Sequence, residues 1–275
     1  MRAQPLPPFA LVRRPAASLA SGCVSFIERQ PVDVERARRQ WLAYVAALKA
    51  HGWPTVEVAP DDTLPDSVFI EDAVVMFGDL AVVTNPAEPT RQPETVAADA
   101  AIRQLGYEPA YITDDTFDGG DVLKVGKTAY VGLSSRTRPA AVDQLRELLA
   151  PLGWSVTGVP LTRVLHLKSA VTALPDGTVI GYGPLVDDAS VFPAFLGVPE
   201  EGGAHVVVLD DETVLMSAHA PRTARLLRDR GLNVVTVDIS EFEKLEGCVT
   251  CLSVRVRGPI SRLGTPPGSL APRAS

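Results

Sequence analysis

Near its C-terminal end the chain reads Glu246-Gly247-Cys248-Val249-Thr250-Cys251-Leu252-Ser253-Val254-Arg255-Val256, a small-residue turn leading into an alternating strand. The thiol of Cys251 stands at the mouth of that strand, framed by Gly247 and Thr250. A cysteine so placed can attack an electrophile once it is ionised. Many strand-end cysteines are simply small buried hydrophobes, so the decision rests on residues elsewhere. Cys248-x-x-Cys251 also has the spacing of a redox or zinc pair. Thioredoxin-type pairs, however, sit at strand-to-helix turns, and no second CxxC or histidine pair completes a zinc set.

Upstream, three stretches carry polar chemistry into apolar surroundings. Asp66-Ser67-Val68-Phe69-Ile70-Glu71-Asp72 sets three carboxylates around what reads as an apolar strand. Phe117-Asp118-Gly119-Gly120-Asp121-Val122 repeats the theme, and its two glycines permit a close backbone approach. The same residues would also suit a turn in which Asp caps its own backbone. Leu165-His166-Leu167-Lys168-Ser169 embeds a histidine, a natural proton carrier, in an apolar run. His51 and His205 read as structural, and His219 as a weaker loop candidate. Arg91 and Arg136 follow two of these stretches at equivalent places, and guanidinium groups bind carboxylates in a bidentate fork. Carboxylates at one end of a pocket and arginines at the other suit a zwitterion with an added cationic group, such as an arginine-like amino acid.

These residues meet only if the elements between them bring distant stretches to one place. The spacing of Val34, Ala37, Trp41, Val45 and Leu48 predicts a helix over 32–48, with Asp33 as N-cap and Gly52 as its stop. Hairpins are expected with turns near 78, 126, 177 and 211, separated by 48, 51 and 34 residues. Helices are expected over 93–105, 140–149 and 221–230, each followed by a strand. The third unit is degenerate, because Leu185 to Phe195 makes a poor helix. The strand at Phe9–Arg14 and the final strand complete a fifth unit between them. Periods of this size point to radial repetition, in which corresponding loops converge on an axial pocket. A doubly wound sheet fits less well, since its strands alternate singly with helices. The fold class is therefore α/β, a five-bladed α/β propeller of hairpin–helix–strand units. Glu71-Asp72, Asp118 and His166 occupy the same place in successive units.

Composition narrows the function. The chain has 275 residues, 46% hydrophobic and 21% charged, with a net charge of −7. Such a length allows a single large domain, read here as 1–261, with a Gly/Pro/Ser-rich, disordered tail over 262–275. No basic stripe interleaved with aromatics is present, which argues against nucleic acid. No window approaches the ~20 apolar residues of a membrane span, and the first residues lack the apolar core of a signal peptide. Three cysteines are too few for a disulfide scaffold and suggest a reduced, cytoplasmic protein.

The ordered set Asp66-Ser67-Val68-Phe69-Ile70-Glu71-Asp72, Asp118-Gly119-Gly120-Asp121-Val122-Leu123, Leu165-His166-Leu167-Lys168-Ser169 and Cys251-Leu252-Ser253 resembles the dimethylarginine dimethylaminohydrolase family of guanidine-modifying propellers. The resemblance covers roughly Phe9 to Arg257. It implies a hydrolase that converts dimethylarginine and water to citrulline and dimethylamine through a covalent S-alkylthiouronium. Cys251 would be the nucleophile and His166 the acid and base. Asp118 would bind the guanidinium and help to hold His166. Glu71 and Asp72 would hold the guanidinium region, with Asp66 nearby. Arg91 and Arg136 match positions around the substrate carboxylate, and Leu19 and Leu245 match positions whose backbones contact the amino-acid part. No metal or cofactor is called for, and a homodimer is compatible with the sequence. A ring of carboxylates should raise the Cys251 pKa until a bound guanidinium lowers it. Arginine deiminases usually carry an acidic residue where Lys168 stands, and an inserted helical domain for which this chain has no room. The remaining alternatives are an arginine deiminase-like or other guanidino-compound hydrolase, and, in a different class, a non-catalytic amino-acid-binding protein or a CxxC redox protein.

Overall fold

The structure is a computed structural model that describes residues 8–257. The tail expected over 262–275, and both ends of the domain expected over 1–261, lie outside the described residues. In chain order the elements are β1 (Phe9–Val12), α1 (Val34–Ala50), β2 (Thr55–Glu57), β3 (Val74–Phe77), β4 (Leu80–Val83), α2 (Glu94–Gln104) and β5 (Ala110–Tyr111). They continue as β6 (Val122–Val125), β7 (Thr128–Leu133), α3 (Pro139–Leu149), β8 (Ser155–Pro160), α4 (Leu167–Ala170), β9 (Val171–Ala173), β10 (Val179–Gly181) and β11 (Phe195–Gly197). The last are β12 (Val206–Val208), β13 (Thr213–Ser217), α5 (Pro221–Asp229), β14 (Asn233–Val237), α6 (Ser240–Glu243) and β15 (Val254–Val256).

Among the described residues, fifteen strands form five three-stranded sheets. Each sheet has one antiparallel pair and one parallel pair, as in β3–β4–β5, where Val74 pairs with Val83 and Val82 with Ala110. The hairpin turns at Gly78, Gly126 and Gly177 need positive φ, which glycine adopts without cost. The fifth sheet is assembled from the two ends of the described chain. β15 runs antiparallel to β1, with Leu11 opposite Val254, and β1 is parallel to β2. The third blade has no long helix, only 3-10 turns at Gly183–Leu185 and Ala189–Val191 between its strands.

One expected element is absent. The apolar run Val68-Phe69-Ile70 is not a strand but a series of tight turns ending in the 3-10 turn Ile70–Asp72. The N–H groups of Ser67, Phe69, Asp72 and Ala73 each donate to a carbonyl three residues back, which consumes the run in turns. In a turn, neighbouring side chains diverge by angles other than the strand's alternation, and this decides where Glu71 and Asp72 point.

Helix α1 shows how the blades hold the site. Asp33 caps it by accepting from the Arg36 N–H, and its inner face buries Ala37, Trp41, Tyr44 and Leu48 against the segment that carries Cys248 and Cys251. The Tyr44 hydroxyl, fully buried, donates to the Val249 carbonyl at 2.9 Å and lies 2.7 Å from the Ser253 hydroxyl. One side chain thus grips the backbone on either side of Cys251. Tyr44→Phe leaves those buried groups short of a partner and should destabilise the protein by about 1–3 kcal/mol in denaturant titration, with slower alkylation of Cys251.

Candidate active site

In every blade one edge strand is the inner one, and in four of the five the residues that precede it supply the site. Asp72 precedes β3, Asp118 and Asp121 precede β6, His166 precedes β9, and Cys251 precedes β15. Cys251, His166 and Asp72 line one cavity, with Asp66, Arg91, Arg136 and Leu245 around it.

His166 is the centre of this arrangement. Its Nε2 lies 2.9 Å from Asp118 Oδ2, and its Nδ1 lies 3.8 Å from Asp72 Oδ1. Asp121 holds the next residue in place, since its Oδ1 accepts from the Leu167 N–H at 2.9 Å while its Oδ2 accepts from the Thr137 hydroxyl at 2.6 Å. The glycine pair is required by contact. A Cβ on Gly120 would lie 2.6 Å from both Asp72 Oδ1 and His166 Nδ1, and one on Gly119 would lie 2.1 Å from the Glu71 carbonyl. The close approach expected from Gly119-Gly120 is thus present, and the Gly120 N–H donates to Asp72 Oδ1 at 2.8 Å.

Charge follows from this packing. Burial would lower the His166 pKa, but Asp72, the hydrogen-bonded Asp118 and Asp121 raise it to about 9. Burial opposes ionisation of Asp72, yet His166 and Arg91 bring it down to about 2. Burial raises Asp121 to about 6. The Cys251 and Cys248 sulfurs are 3.2 Å apart. Hydrogen bonding to Cys248, burial, and the Glu71 and Asp72 carboxylates all hold the Cys251 thiol above its usual range. All three cysteines are free.

The expected residues divide. Asp118 is fully buried behind His166, and its other oxygen accepts from the Ala87 N–H, so it orients the imidazole and does not line the cavity. Glu71 departs from expectation: its Oε1 pairs with Lys168 at 2.6 Å and lies 3.5 Å from Arg255, in a separate cavity. The turn at Ile70–Asp72 sends its side chain away from Asp72. The Arg91 charge is already matched, because its guanidinium bonds Asp72 at 2.7 Å and Glu94 at 3.0 and 3.2 Å. The Arg136 guanidinium donates to the Ser25 hydroxyl at 3.3 Å and has no carboxylate partner among the described residues. Asp66 accepts from the Cys23 N–H with both oxygens, at 3.1 and 3.0 Å. Leu245 lines the cavity, whereas Leu19 spends its backbone on its own turn and packs its side chain in the core.

Sequence reasoning missed Cys23 and Glu246. Both line the cavity, and Glu246 adopts φ 61, a left-handed conformation that costs roughly 1 kcal/mol for a residue with a Cβ. Its carboxylate accepts from the Ser25 and Phe26 N–H groups and so pins that loop across the site. The enclosed space is about 20 Å³, well short of what a substrate of amino-acid size fills. A non-glycine residue in a turn beside Gly247 carries no sequence signal of that role. Among the described residues, no cluster of His, Cys, Asp and Glu is arranged to hold a metal ion.

Five blades converging on a cysteine, a histidine and buried carboxylates define a guanidine-modifying α/β propeller of the pentein type. No protein-family model matches the chain. A dimethylarginine dimethylaminohydrolase of Streptomyces coelicolor is 58% identical over 249 residues, covering 90% of this chain and 96% of that protein. One from Pseudomonas aeruginosa is 32% identical over 250 residues, covering 89% and 98%. A solved structure of the P. aeruginosa enzyme, a cysteine-to-serine variant complexed with citrulline, matches with a TM-score of 0.84 at 31% identity, covering 90% and 98% of the two chains. The N-terminal domain of a cyanobacterial arginine dihydrolase shares the fold, with a TM-score of 0.82 at 21% identity, covering 92% and 99%. The chain belongs to the dimethylarginine dimethylaminohydrolase family.

The raised His166 pKa links the site to stability. The folded protein binds this proton more tightly than the unfolded chain does. The resulting stabilisation is complete below about 6.5 and is lost as pH rises through about 9. In Asp118→Asn, NMR titration should find the His166 pKa lower by roughly 1–3 units, and the alkaline loss of thermal stability should begin correspondingly earlier.

Proposed function

We propose that this protein hydrolyses Nω-methylated L-arginine, dimethylarginine above all, to citrulline and the methylamine. The observation that carries the reading is one cavity that holds Cys251, an imidazolium His166 and the Asp72 carboxylate opposite the unmatched cation of Arg136. A guanidinium fits against Asp72 and Asp66, and an α-carboxylate fits Arg136.

The reaction uses each group once in each direction. The bound guanidinium cation offsets the carboxylates that hold the Cys251 thiol up, so the thiol ionises on binding. The thiolate then attacks the guanidinium carbon and forms a C–S bond. His166, protonated at neutral pH, donates to the departing dimethylamine as its C–N bond breaks, and leaves a Cys251 S-alkylthiouronium. Neutral His166 next takes a proton from water, and the hydroxide adds to the same carbon. The C–S bond breaks, and citrulline leaves. Asp118 and Asp121 keep the imidazole oriented through both halves, as positioning residues. Cys248 supports the nucleophile by contact and takes no covalent part. Every group used belongs to one chain, so a homodimer would carry two complete sites. The reduced cysteines suit reaction in the cytoplasm.

The test is amine release from asymmetric dimethylarginine, monomethylarginine and arginine in parallel. Dimethylamine with citrulline supports the reading, ammonia from arginine points to a deiminase, and no turnover of any sinks both. Cys251→Ser should abolish turnover and keep ligand binding, while a severe loss in Cys248→Ser would revive a redox function. Arg136→Gln should raise KM about 10- to 100-fold with a much smaller change in kcat, as expected for loss of a charge-assisted contact. Iodoacetamide titration of the free protein should show Cys251 un-ionised near neutral pH. A fully ionised thiol without ligand would contradict activation by substrate.

A further inference from the structure

The wall that carries the active site has a second side. A cavity of about 370 Å³ lies there, lined by residues of β3, β6, β9, β12 and β15. These are the inner strands of all five blades, so the cavity lies on the propeller axis. The Cys251 cavity is built by the residues that precede those strands, which puts the second cavity at the opposite end of the channel. Sequence neighbours divide between the two sides: Asp72, His166 and Cys251 face one cavity, while Glu71, Lys168 and Thr250 face the other.

Its charge is lopsided. Lys124, Lys168, Arg255 and Arg257 line it, against the single carboxylate of Glu71. Glu71 is shared between Lys168 and Arg255. Lys124 donates to the Met76 carbonyl at 2.7 Å, and Arg257 lies over the Trp53 ring and donates to the Val208 carbonyl. Neither has a carboxylate in ion-pair reach among the described residues. Burial, then crowding by Lys168 and Arg255, pushes Lys124 down to about 7, and burial with Arg255 pushes Arg257 down to about 10. A protein with a net charge of −7 has thus gathered repelling cations around a cavity large enough for a small ligand. A guanidino substrate, being a cation, is repelled from this end, so the mouth is not its entrance.

We propose that this mouth is a second binding site, for a small phosphate-bearing anion, held chiefly by Lys124 and Arg257 with Lys168 and Arg255 adding charge. Uncompensated positive charge favours a multivalent anion over a monocarboxylate, and Lys and Arg are the natural donors to phosphate oxygens. The site is independent of the hydrolase reading, because no residue in it lines the Cys251 cavity.

Calorimetric titration of the full chain with inorganic phosphate at low salt tests this, with glycerol phosphate in parallel to separate free phosphate from a phosphomonoester. Saturable one-to-one binding is expected for at least one of them, weakening as salt rises. Lys124→Gln/Arg257→Gln should bind at least tenfold more weakly while amine release is unchanged. Lys124→Arg should retain binding. If the double variant loses its thermal transition, Lys124→Gln alone serves the same comparison. No saturable binding of either anion, or undiminished binding in the variants, would overturn the proposal.

Discussion

The structure depends on keeping three buried carboxylates charged or hydrogen-bonded around one histidine. Asp72, Asp118 and Asp121 each have a designated donor: Gly120 and Arg91 for the first, His166 and Ala87 for the second, Thr137 and Leu167 for the third. An isolated carboxylate at such depth would surrender its charge, and loss of any one donor leaves an uncompensated buried group. The same contacts raise His166 and lower Asp72, so the features that hold the fold together also set the protonation states inside the cavity. Stability and chemistry share one network here.

Propeller geometry makes that network affordable. Four of the five blades contribute a few residues each at the head of the inner strand, and those heads meet near the axis. Donors and acceptors from positions as far apart as Asp72 and Cys251 therefore come together without any long loop crossing the core. Closure of the fifth blade by β15 and β1 matters most, because it fixes Cys251 against the other four. The wall so formed is thin, one residue separating acidic chemistry on one side from a cationic mouth on the other. Lys168 and Glu71, within two positions of His166 and Asp72, are the ion pair that occupies its far side.

Much of this was legible in the chain. Hairpin turns at Gly78, Gly126, Gly177 and Asp210-Asp211, the cap at Asp33 and the poor third helix are local features, and all are found. The two glycines between Asp118 and Asp121 pointed to close backbone contact, which Gly120 makes. The Val68-Phe69-Ile70 run misled, because apolar composition does not distinguish a strand from a buried series of turns. Glu71 was expected beside Asp72, and only the folded chain pairs it with Lys168 on the other side. The matched charge of Arg91 was equally hidden, since its partner Asp72 lies 19 residues away and only the folded chain sets them 2.7 Å apart.

The sequence by itself determined the repeat, the closure of the fifth blade by the chain's two end strands, and the chemical identities available to the site. Periodicity and turn residues act over a few positions, so they are written where they operate. Only the tertiary structure decided which side of the wall each polar residue faces, which arginine keeps a free charge, and that Asp118 bonds His166 without lining the cavity. Those outcomes depend on side-chain directions and on electrostatic pairing between blades, and both are fixed by contacts among residues far apart in the chain.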